Sequence, residues 1–252
     1  MPEISPSKYL VTAGWNDVPH LDEKTKRELL AATPPHLRKA RAEGAPSLGA
    51  GAIYPIEEDD ILVNDFQLPR HFLRGYALDV GWNRTAALHG ALDRENDILY
   101  LYREYYRGQA EPAVHAQAIK ARGAWMTGCI DPASRGRTQN DGQQMVELYK
   151  RAELNLIYAN NEVEAGIQEV WERLSTGRIK VFRSLQAFMA EYRIYRRDDK
   201  GKIVKKNDHL MDCMRYLVNT PAVFQRMPVP ADFAASRMAA AAAAPLDPVM
   251  GY

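Results

Sequence analysis

The chain of 252 residues has only two cysteines, Cys129 and Cys213, which lie far apart and form no metal-ligand spacing. So few thiols exclude a disulfide framework and predict two buried, reduced side chains in an intracellular protein. No apolar run approaches the roughly 20 residues that span a bilayer, and the opening stretch MPEISPSKYL lacks the apolar core of a signal peptide. We therefore expect a cytoplasmic location and no membrane partner.

The chain also lacks a strong net charge and an internal repeat. Its formal charge of +1 neither supports nor excludes a nucleic-acid partner, because the distribution of charge matters more than the sum. With 46% hydrophobic and 26% charged residues, the composition is that of a soluble globular protein.

Three zones differ in composition. Residues 1–70 contain one helical pattern, DEKTKRELLAATPPHLRKARAEG, followed by the glycine-spaced SLGAGAIYPI and the acidic EEDD, and we expect them to form an appendage. Residues 71–220 alternate strand-like and helix-like segments. Residues 221–252 are rich in Ala and Pro and have few large apolar side chains, which predicts a flexible tail.

The middle zone predicts a mixed α/β fold. GYALDVGWN, RTAALHGALD and DILYLYREYYRG have strand patterns, with DREN as a turn, and predict three antiparallel opening strands. Three further strands, in AWMTGCIDPAS, LNLIYAN and IKVFRS, alternate with helical patterns. A mixed central sheet with helices on both faces follows from this order.

Aspartates occupy the positions where this layout would place chemistry. Asp79 ends the first strand, Asp131 ends the fourth, and Asp208 and Asp212 lie four residues apart on the last strong helix, in NDHLMDCMRY. Ligands of open α/β sheets bind beyond the carboxyl ends of strands, so Asp79 and Asp131 would share a crevice if their strands are neighbours. Converging carboxylates suit Mg²⁺ or Mn²⁺, and two such ions about 3.5–4 Å apart can clamp a phosphodiester.

Each aspartate also has a purely structural interpretation. Asp79 could be a turn residue, and Asp131, which precedes a proline, could form an Asx turn. Asn207 or Asp208 could cap the last helix, where an acid in the first turn is favourable against the helix dipole. Asp212 could pair with Arg215 three residues later.

His209 lies between the two helical aspartates. It is a candidate for a metal or proton-transfer role, although a supporting or solvent-facing histidine is the simpler interpretation. The apolar stripe Leu210, Cys213, Met214 and Leu217 recurs at helical spacing and predicts the buried side of the same helix.

Basic residues cluster beside these acids. The segment YRIYRRDDKGKIVKK directly precedes the acidic helix, and two arginines follow Asp131. A cationic hairpin or loop there could hold the phosphate backbone of DNA without reading its sequence, while a solvated charged loop is the alternative. The candidate DNA-binding residues are Arg135, Arg137, Arg193, Arg196, Arg197, Lys200, Lys202, Lys205 and Lys206.

Four stretches of the chain resemble one protein family. They are AATPPHLRKARAEGAPSLGAGAIYPI, YALDVGWNRTAALHGALD, CIDPASRGRTQNDGQQMVELYKRAELN and AEYRIYRRDDKGKIVKKNDHLMDCMRYLV. They are similar to the nuclease domain of the large terminase subunit of tailed bacteriophages, whose fold is like that of ribonuclease H and Holliday-junction resolvases. The resemblance covers most of residues 9–220.

The resemblance implies an endonuclease that cuts concatemeric viral double-stranded DNA in the host cytoplasm during genome packaging, with the small terminase subunit and the portal as partners. It implies that Asp79 bridges two Mg²⁺ or Mn²⁺ ions, that Asp131 completes one shell, and that the acidic helix completes the other. The family varies there between paired aspartates and aspartate with histidine. We predict that Asp208 and Asp212 both bind metal, with Asp208 nearer the family's third ligand and His209 as an accessory candidate.

One departure from the family concerns its ATP-hydrolysing motor domain. Nothing in the chain matches the phosphate-binding loop G-x-x-x-x-G-K-[ST], so ATPase activity is not expected. Residues 1–70 resemble only the exit and linker of that missing domain. The chain is expected to be the C-terminal half of a longer protein or an excised nuclease domain.

Three other functions fit parts of the pattern. A resolvase or transposase-like nuclease would use the same scaffold on branched or end-specific DNA. An actin-like sugar or acetate kinase also ends its first strands in phosphate-holding turns, but it needs a second similar half. A non-catalytic DNA-clamping or portal-docking module would carry the aspartates for structure alone.

Overall fold

A computed structural model describes residues 3–5, 8–9, 14–32, 42, 51–135, 145–198 and 200–228 of the chain. At the start, β1 (Glu3–Ser5) and β2 (Lys8–Tyr9) form an antiparallel pair, and α1 (Glu23–Ala32) covers the first part of the helical pattern predicted over residues 22–44. Most of the rest of that pattern lies outside the described residues. Within the described ranges, no helix has the length and apolarity needed to cross a membrane.

A seven-stranded mixed sheet forms the centre of the fold. Its strands are β3 (Leu62–Val63), β4 (Leu73–Asp79), β5 (Thr85–Asp93), β6 (Ile98–Arg107), β7 (Thr127–Ile130), β8 (Asn155–Tyr158) and β9 (Ile179–Phe182). Across the sheet the order is β3-β9-β6-β5-β4-β7-β8. Strands β4, β5 and β6 are antiparallel neighbours, whereas β7 and β8 extend the sheet in parallel beyond β4, as β9 and β3 do beyond β6. The predicted antiparallel opening of a mixed sheet is confirmed.

Helices cover both faces of this sheet. They are α2 (Glu58–Ile61), α3 (Pro112–Lys120), α4 (Met145–Arg151), α5 (Val163–Ser175), α6 (Gln186–Ile194) and α7 (His209–Asn219). Strand side chains alternate between the faces, so Ala77 of β4 belongs to the core under α5, α6 and α7, while Leu78 belongs to the core under α3 and α4. The predicted two-sided helical covering is also confirmed.

Helix α7 lies against the sheet along its predicted apolar stripe. Leu210, Cys213, Met214 and Leu217 are fully buried, and both cysteines are free thiols in the core. Burial raises the pKa of the Cys213 thiol well above its usual value, so the thiol stays protonated and unreactive. The prediction of two buried, reduced cysteines is confirmed.

A half-buried glutamate and a buried one, each from another element, hold the starts of α6 and α7. The Glu104 carboxylate on β6 accepts hydrogen bonds from the Ala187 and Phe188 amides at 2.9 and 2.7 Å. Glu191 on α6 accepts one from the Leu210 amide of α7 at 2.6 Å. The first amides of a helix have no partner within the helix and carry its positive dipole end, so each carboxylate stabilises the helix it caps.

Residues on both sides of the segment 71–220 pack against it. Before it, Ile53, Tyr54 and Ile61 are buried in the core and β3 pairs with β9. After it, Val223 is buried and Gln225 pairs with Arg74 of β4. The domain boundaries at residues 70 and 220 remain predictions, and residues 229–252 of the predicted tail lie outside the described part of the chain.

The segment between α6 and α7 folds back on itself, and we call residues 195–206 the basic hairpin. Arg197 pairs with Ile203 across it. At its base, the Ile53 amide donates to the Tyr195 carbonyl at 3.1 Å, and the Arg197 amide donates to the Gly51 carbonyl at 2.9 Å. Gly51 has φ +87°, and a Cβ there would lie 2.8 Å from the Arg197 carbonyl oxygen, so the close pairing requires glycine.

Candidate active site

Asp79 and Asp131 end neighbouring parallel strands. In the register of β4 and β7, Leu78 lies opposite Ile130, and each aspartate follows directly. Both carboxylates therefore lie at the same end of two neighbouring strands about 4.8 Å apart, and we call this end of the sheet, with Asp79, Asp131 and the start of α7, the acidic edge. Because Leu78 and Ile130 face α3 and α4, side-chain alternation directs the two aspartates to the opposite face, where α7 packs.

Asp79 contacts the first residue of α7. Its Oδ2 lies 2.7 Å from the His209 Nδ1. The hydrogen bond and the charge of Asp79 raise the pKa of His209, against the effect of burial. Burial raises the pKa of Asp79, and the carboxylates of Asp212 and Asp131 raise it further although His209 opposes them. The pair therefore retains a proton, and three carboxylates lie close enough to repel one another.

The His209 contact predicts a pH-dependent stability. A raised pKa means that the folded protein binds this proton more tightly than the unfolded chain, so the stabilisation is complete below pH 6.5, the ordinary pKa of histidine. It is lost as the pH rises through the pKa of the folded state. In EDTA, we expect the unfolding free energy of wild-type protein relative to His209→Gln to fall with rising pH above 6.5. Denaturant titrations that gave a pH-independent difference would contradict this.

The two aspartates of α7 share one lysine. Lys205 Nζ lies 3.3 Å from Asp208 Oδ2 and 3.4 Å from Asp212 Oδ2. Burial opposes protonation of Lys205, but the two carboxylates outweigh it and raise the pKa of the lysine. Asp208 is the N-cap residue of α7 but makes no capping hydrogen bond through its side chain. Capping therefore does not explain Asp208, and Lys205 offsets the repulsion between the two acids.

A buried arginine connects Asp212 to the strand-end acid. Arg215 is 1% exposed; its Nη2 donates to Asp212 Oδ1 at 2.9 Å and its Nη1 donates to Asn161 Oδ1 at 2.9 Å. The Asn161 amide nitrogen in turn donates to Asp131 Oδ1 at 3.1 Å. The same Asp131 oxygen accepts the Ala133 amide at 3.0 Å, which is the Asx turn considered above. Asp131 and Asp212 thus have structural hydrogen-bond partners, and both also lie at the acidic edge.

Each of the four carboxylates has a partner within the protein, which is a basic side chain for three of them and the Asn161 amide for Asp131. Among the described residues, no three His, Cys, Asp or Glu side chains are close enough to hold a metal ion together. The acids nevertheless offer the hard oxygen ligands that Mg²⁺ and Mn²⁺ prefer. One of these oxygens, Asp208 Oδ2, is buried and accepts no hydrogen bond, although the Lys205 ammonium lies 3.3 Å from it. The donor set fits a divalent cation, with Lys205 as the charge that such a cation would replace.

The candidate DNA-binding cations fall into distinct groups. Arg193 forms a two-pronged ion pair with Glu58 at 2.6 and 2.7 Å, and Arg197 forms one with Glu164 at 3.1 and 2.6 Å. Lys205 lies in the basic hairpin but is paired with Asp208 and Asp212, as described above. The Arg135 side chain and all of Arg137 lie outside the described residues. The remaining candidates are exposed on the basic hairpin: Arg196, Lys200, Lys202 and Lys206.

Two polar residues of the site do not stand out in the sequence. Asn161 links Asp131 to Arg215 but lies in a loop among other polar residues, which gives no signal. Glu191 is buried beside His209, accepts the Tyr106 hydroxyl and caps α7. The sequence indication for Glu191 is its position between Phe188 and Tyr192 on the apolar side of α6, because a buried acid there needs hydrogen-bond partners.

The fold and the acidic edge together define the ribonuclease H-like class. Residues 77–220 match the family described as Terminase RNaseH-like domain, so the chain belongs to that family.

Individual relatives agree with this assignment. The chain is 34% identical over 226 residues to the terminase large subunits of Enterobacteria phage LP7 and Salmonella phage P22; the match covers 84% of this chain but 46% and 44% of those proteins. The chain thus spans less than half the length of these curated relatives. The structure of the P22 large terminase nuclease domain superposes with a TM-score of 0.66 at 30% identity, covering 72% of this chain and 97% of that one.

A more distant relative supports the fold alone. The large terminase of a thermophilic bacteriophage has a TM-score of 0.58 at 22% identity, covering 81% of this chain and 54% of that one. The predicted family and fold class are therefore confirmed.

Proposed function

We propose that this chain is the nuclease domain of a phage large terminase subunit, a divalent-metal-dependent endonuclease that cuts concatemeric double-stranded DNA. The observation that carries the proposal is the meeting of two strand-end aspartates with the acidic helix α7 in a chain that is 30% identical to a terminase nuclease domain. Under this proposal it acts in the host cytoplasm, with the small terminase subunit and the portal as partners.

The proposed metal-holding residues are Asp79, Asp131, Asp208 and Asp212, with His209 as an accessory. Two Mg²⁺ or Mn²⁺ ions, when bound, would polarise the scissile phosphodiester and offset the charge that develops on it. The residues of the chain itself would orient the carboxylates and supply the charged groups around them. Arg215 and Asn161 orient two of the carboxylates, and His209 holds a proton beside the third.

Cleavage of a plasmid tests this proposal directly. With Mg²⁺ or Mn²⁺, we expect the purified chain to convert supercoiled DNA into nicked and linear forms, and EDTA to stop it. Asp131→Asn should cut much more slowly, because the substitution removes one acidic ligand. Absence of cleavage with either metal would contradict the nuclease proposal. Equal cleavage by Asp131→Asn would remove that residue from the site, and a strong preference for four-way junctions would favour a resolvase.

The basic hairpin is the proposed backbone contact. Lys200 and Lys202 lie at its tip beside Gly201, exposed to solvent, whereas Arg193 and Arg197 are held by Glu58 and Glu164. Within the part of the chain that the structure describes, no carboxylate pairs with the side chain of Lys200 or Lys202. Lysines that bind DNA phosphates release counterions from the DNA, which makes binding salt-dependent.

Salt dependence therefore distinguishes the hairpin from other basic surface. The slope of log affinity against log salt should become shallower by up to about 1.8 in the double variant Lys200→Gln, Lys202→Gln, which is about 0.9 for each phosphate that a lysine no longer neutralises. The matched variant Lys120→Gln, Lys150→Gln changes two surface lysines of α3 and α4, on the other face of the sheet, and should keep the wild-type slope. Fluorescence anisotropy of a labelled duplex measures both. Identical slopes for the two variants would exclude the hairpin tip as a DNA contact.

A further inference from the structure

A second polar site lies away from the acidic edge. A cavity of about 650 Å³ opens between residues 65–70, which follow β3, and the middle of β6. Arg70, Arg74 and Arg103 contribute to its wall, together with Tyr102 and the 42% exposed Phe66. Arg74 precedes Asp79 by five residues on β4, about 17 Å along an extended strand, so the cavity is not part of the carboxylate site.

The arginines of this cavity are not neutralised. Among the described residues, Arg70, Arg74 and Arg103 form no ion pair; Arg70 reaches the Pro228 carbonyl at 3.5 Å, and Arg74 Nη2 donates to the Leu68 carbonyl at 3.2 Å. Arg74 Nε is buried without any hydrogen-bond partner. A buried donor that lacks an acceptor is costly, and an anion in the cavity would remove that cost.

One acid also lines the cavity, but it has another partner. Asp65 Oδ1 accepts the Ser184 amide at 3.2 Å, and no arginine of the cavity contacts it as an ion pair in the described part of the chain. The positive charge of the wall is therefore only partly balanced.

Burial lowers the pKa of two neighbouring basic groups, His89 and Arg122, and the charge of Arg103 lowers it further. Burial, with Arg122 and Arg103, lowers the pKa of His89 to about 3. Burial, with Arg103, also lowers the pKa of Arg122, whose Nη1 is buried without a hydrogen bond. Arg103 and Arg122 repel each other, so an anion bound beside Arg103 would offset part of that repulsion, whereas His89 stays neutral.

We propose that this cavity binds a phosphate group. Guanidinium groups present planar pairs of N–H donors that match the oxygens of phosphate, and three of them line this cavity, with the Arg74 Nε as a buried donor without a partner. The phosphate can belong to a DNA backbone or to a free phosphate compound, since the recognising chemistry is the same. This inference rests on the cavity and does not depend on the proposed nuclease activity.

Thermal unfolding with inorganic phosphate tests the site. At constant pH and ionic strength, phosphate in exchange for chloride should raise the unfolding midpoint of wild-type protein. Arg103→Gln and Arg74→Gln should each weaken the apparent phosphate affinity about tenfold or more, as expected when a charge-assisted hydrogen bond is removed. Arg94→Gln makes the same change on the exposed β5–β6 turn, outside the cavity wall, and should respond like wild type.

Because Arg103 is exposed, the variant Arg103→Gln is expected to fold, and it tests the proposal even if Arg74→Gln does not fold. No phosphate response in wild type, or the same response in Arg103→Gln as in Arg94→Gln, would overturn the proposal. A labelled DNA duplex then identifies the source. Weaker duplex binding by Arg103→Gln, with competition by phosphate, supports a backbone phosphate. Unchanged duplex binding together with a weakened phosphate response supports a free phosphate compound.

Discussion

Asp79→Asn is expected to reduce metal-dependent plasmid cleavage by about a thousandfold or more, because the loss of about 4 kcal/mol of transition-state stabilisation corresponds to that factor. Asp79 is the acid that contacts His209 and experiences the charges of both Asp131 and Asp212, so it is the proposed centre of the site. Initial rates of nicking at saturating Mg²⁺ and at saturating Mn²⁺ measure the effect. Circular dichroism and duplex binding should remain close to wild type.

Asp93→Asn is the matched control. Asp93 also ends a strand, β5, but at the opposite edge of the sheet, where its Oδ1 accepts the Glu95 and Asn96 amides. Asparagine keeps the Oδ1 acceptor and loses only the 2.7 Å hydrogen bond from the Asn96 side-chain amide to Oδ2. That change is confined to the β5–β6 turn, so cleavage should stay at the wild-type rate. Cleavage by Asp79→Asn at a rate close to that of Asp93→Asn would show that Asp79 is not needed for the reaction.

Arg215→Met is expected to cost about 3–5 kcal/mol of stability, the usual consequence of breaking a buried ion pair from one side. The substitution leaves the Asp212 carboxylate, which is only 14% exposed, without its arginine, and it leaves the exposed Asn161 without its donor. The site around it is tight, since a Cβ on Gly166 would lie 2.7 Å from Arg215 Cγ. Chemical denaturation measures the loss, and cleavage should fall as well because Asp212 and Asp131 are no longer oriented.

Arg173→Met provides the comparison. Arg173 on α5 pairs with Asp97 and Glu169, whose side chains are about half exposed, so its removal should cost less than about 1 kcal/mol. A loss of stability in Arg215→Met no larger than that in Arg173→Met would mean that the buried network contributes little to the fold.

The positions of the aspartates at the acidic edge could be predicted from the sequence because they depend on local patterns. Apolar runs that stop at Asp79 and at Asp131 indicate strand ends, and the spacing of Leu210, Cys213 and Leu217 indicates which side of α7 is buried. Parallel neighbours β4 and β7 then bring the two strand ends together. Each step needs only the sequence period and a rule of sheet topology.

The partners of the charged side chains could not be predicted in the same way. Arg193 meets Glu58, which is 135 residues away, and Arg197 meets Glu164, which is 33 residues away. Such pairs join elements that are distant in the sequence, α6 with α2 and the basic hairpin with α5, and no local pattern encodes them. For the same reason, a basic stretch in the sequence did not distinguish Lys205, which is held by the acids, from Lys200 and Lys202 at the hairpin tip.

The pairing of Gly51 and Ile53 with the base of the basic hairpin has a consequence for the acidic edge. The Ile53–Tyr195 and Gly51–Arg197 hydrogen bonds connect the polypeptide that precedes the sheet to the segment leading into α7. Lys205, in the same hairpin, lies 3.3 and 3.4 Å from the two acids of α7. A continuous series of contacts therefore runs from residues 51–53 through the hairpin to the charge that offsets those acids.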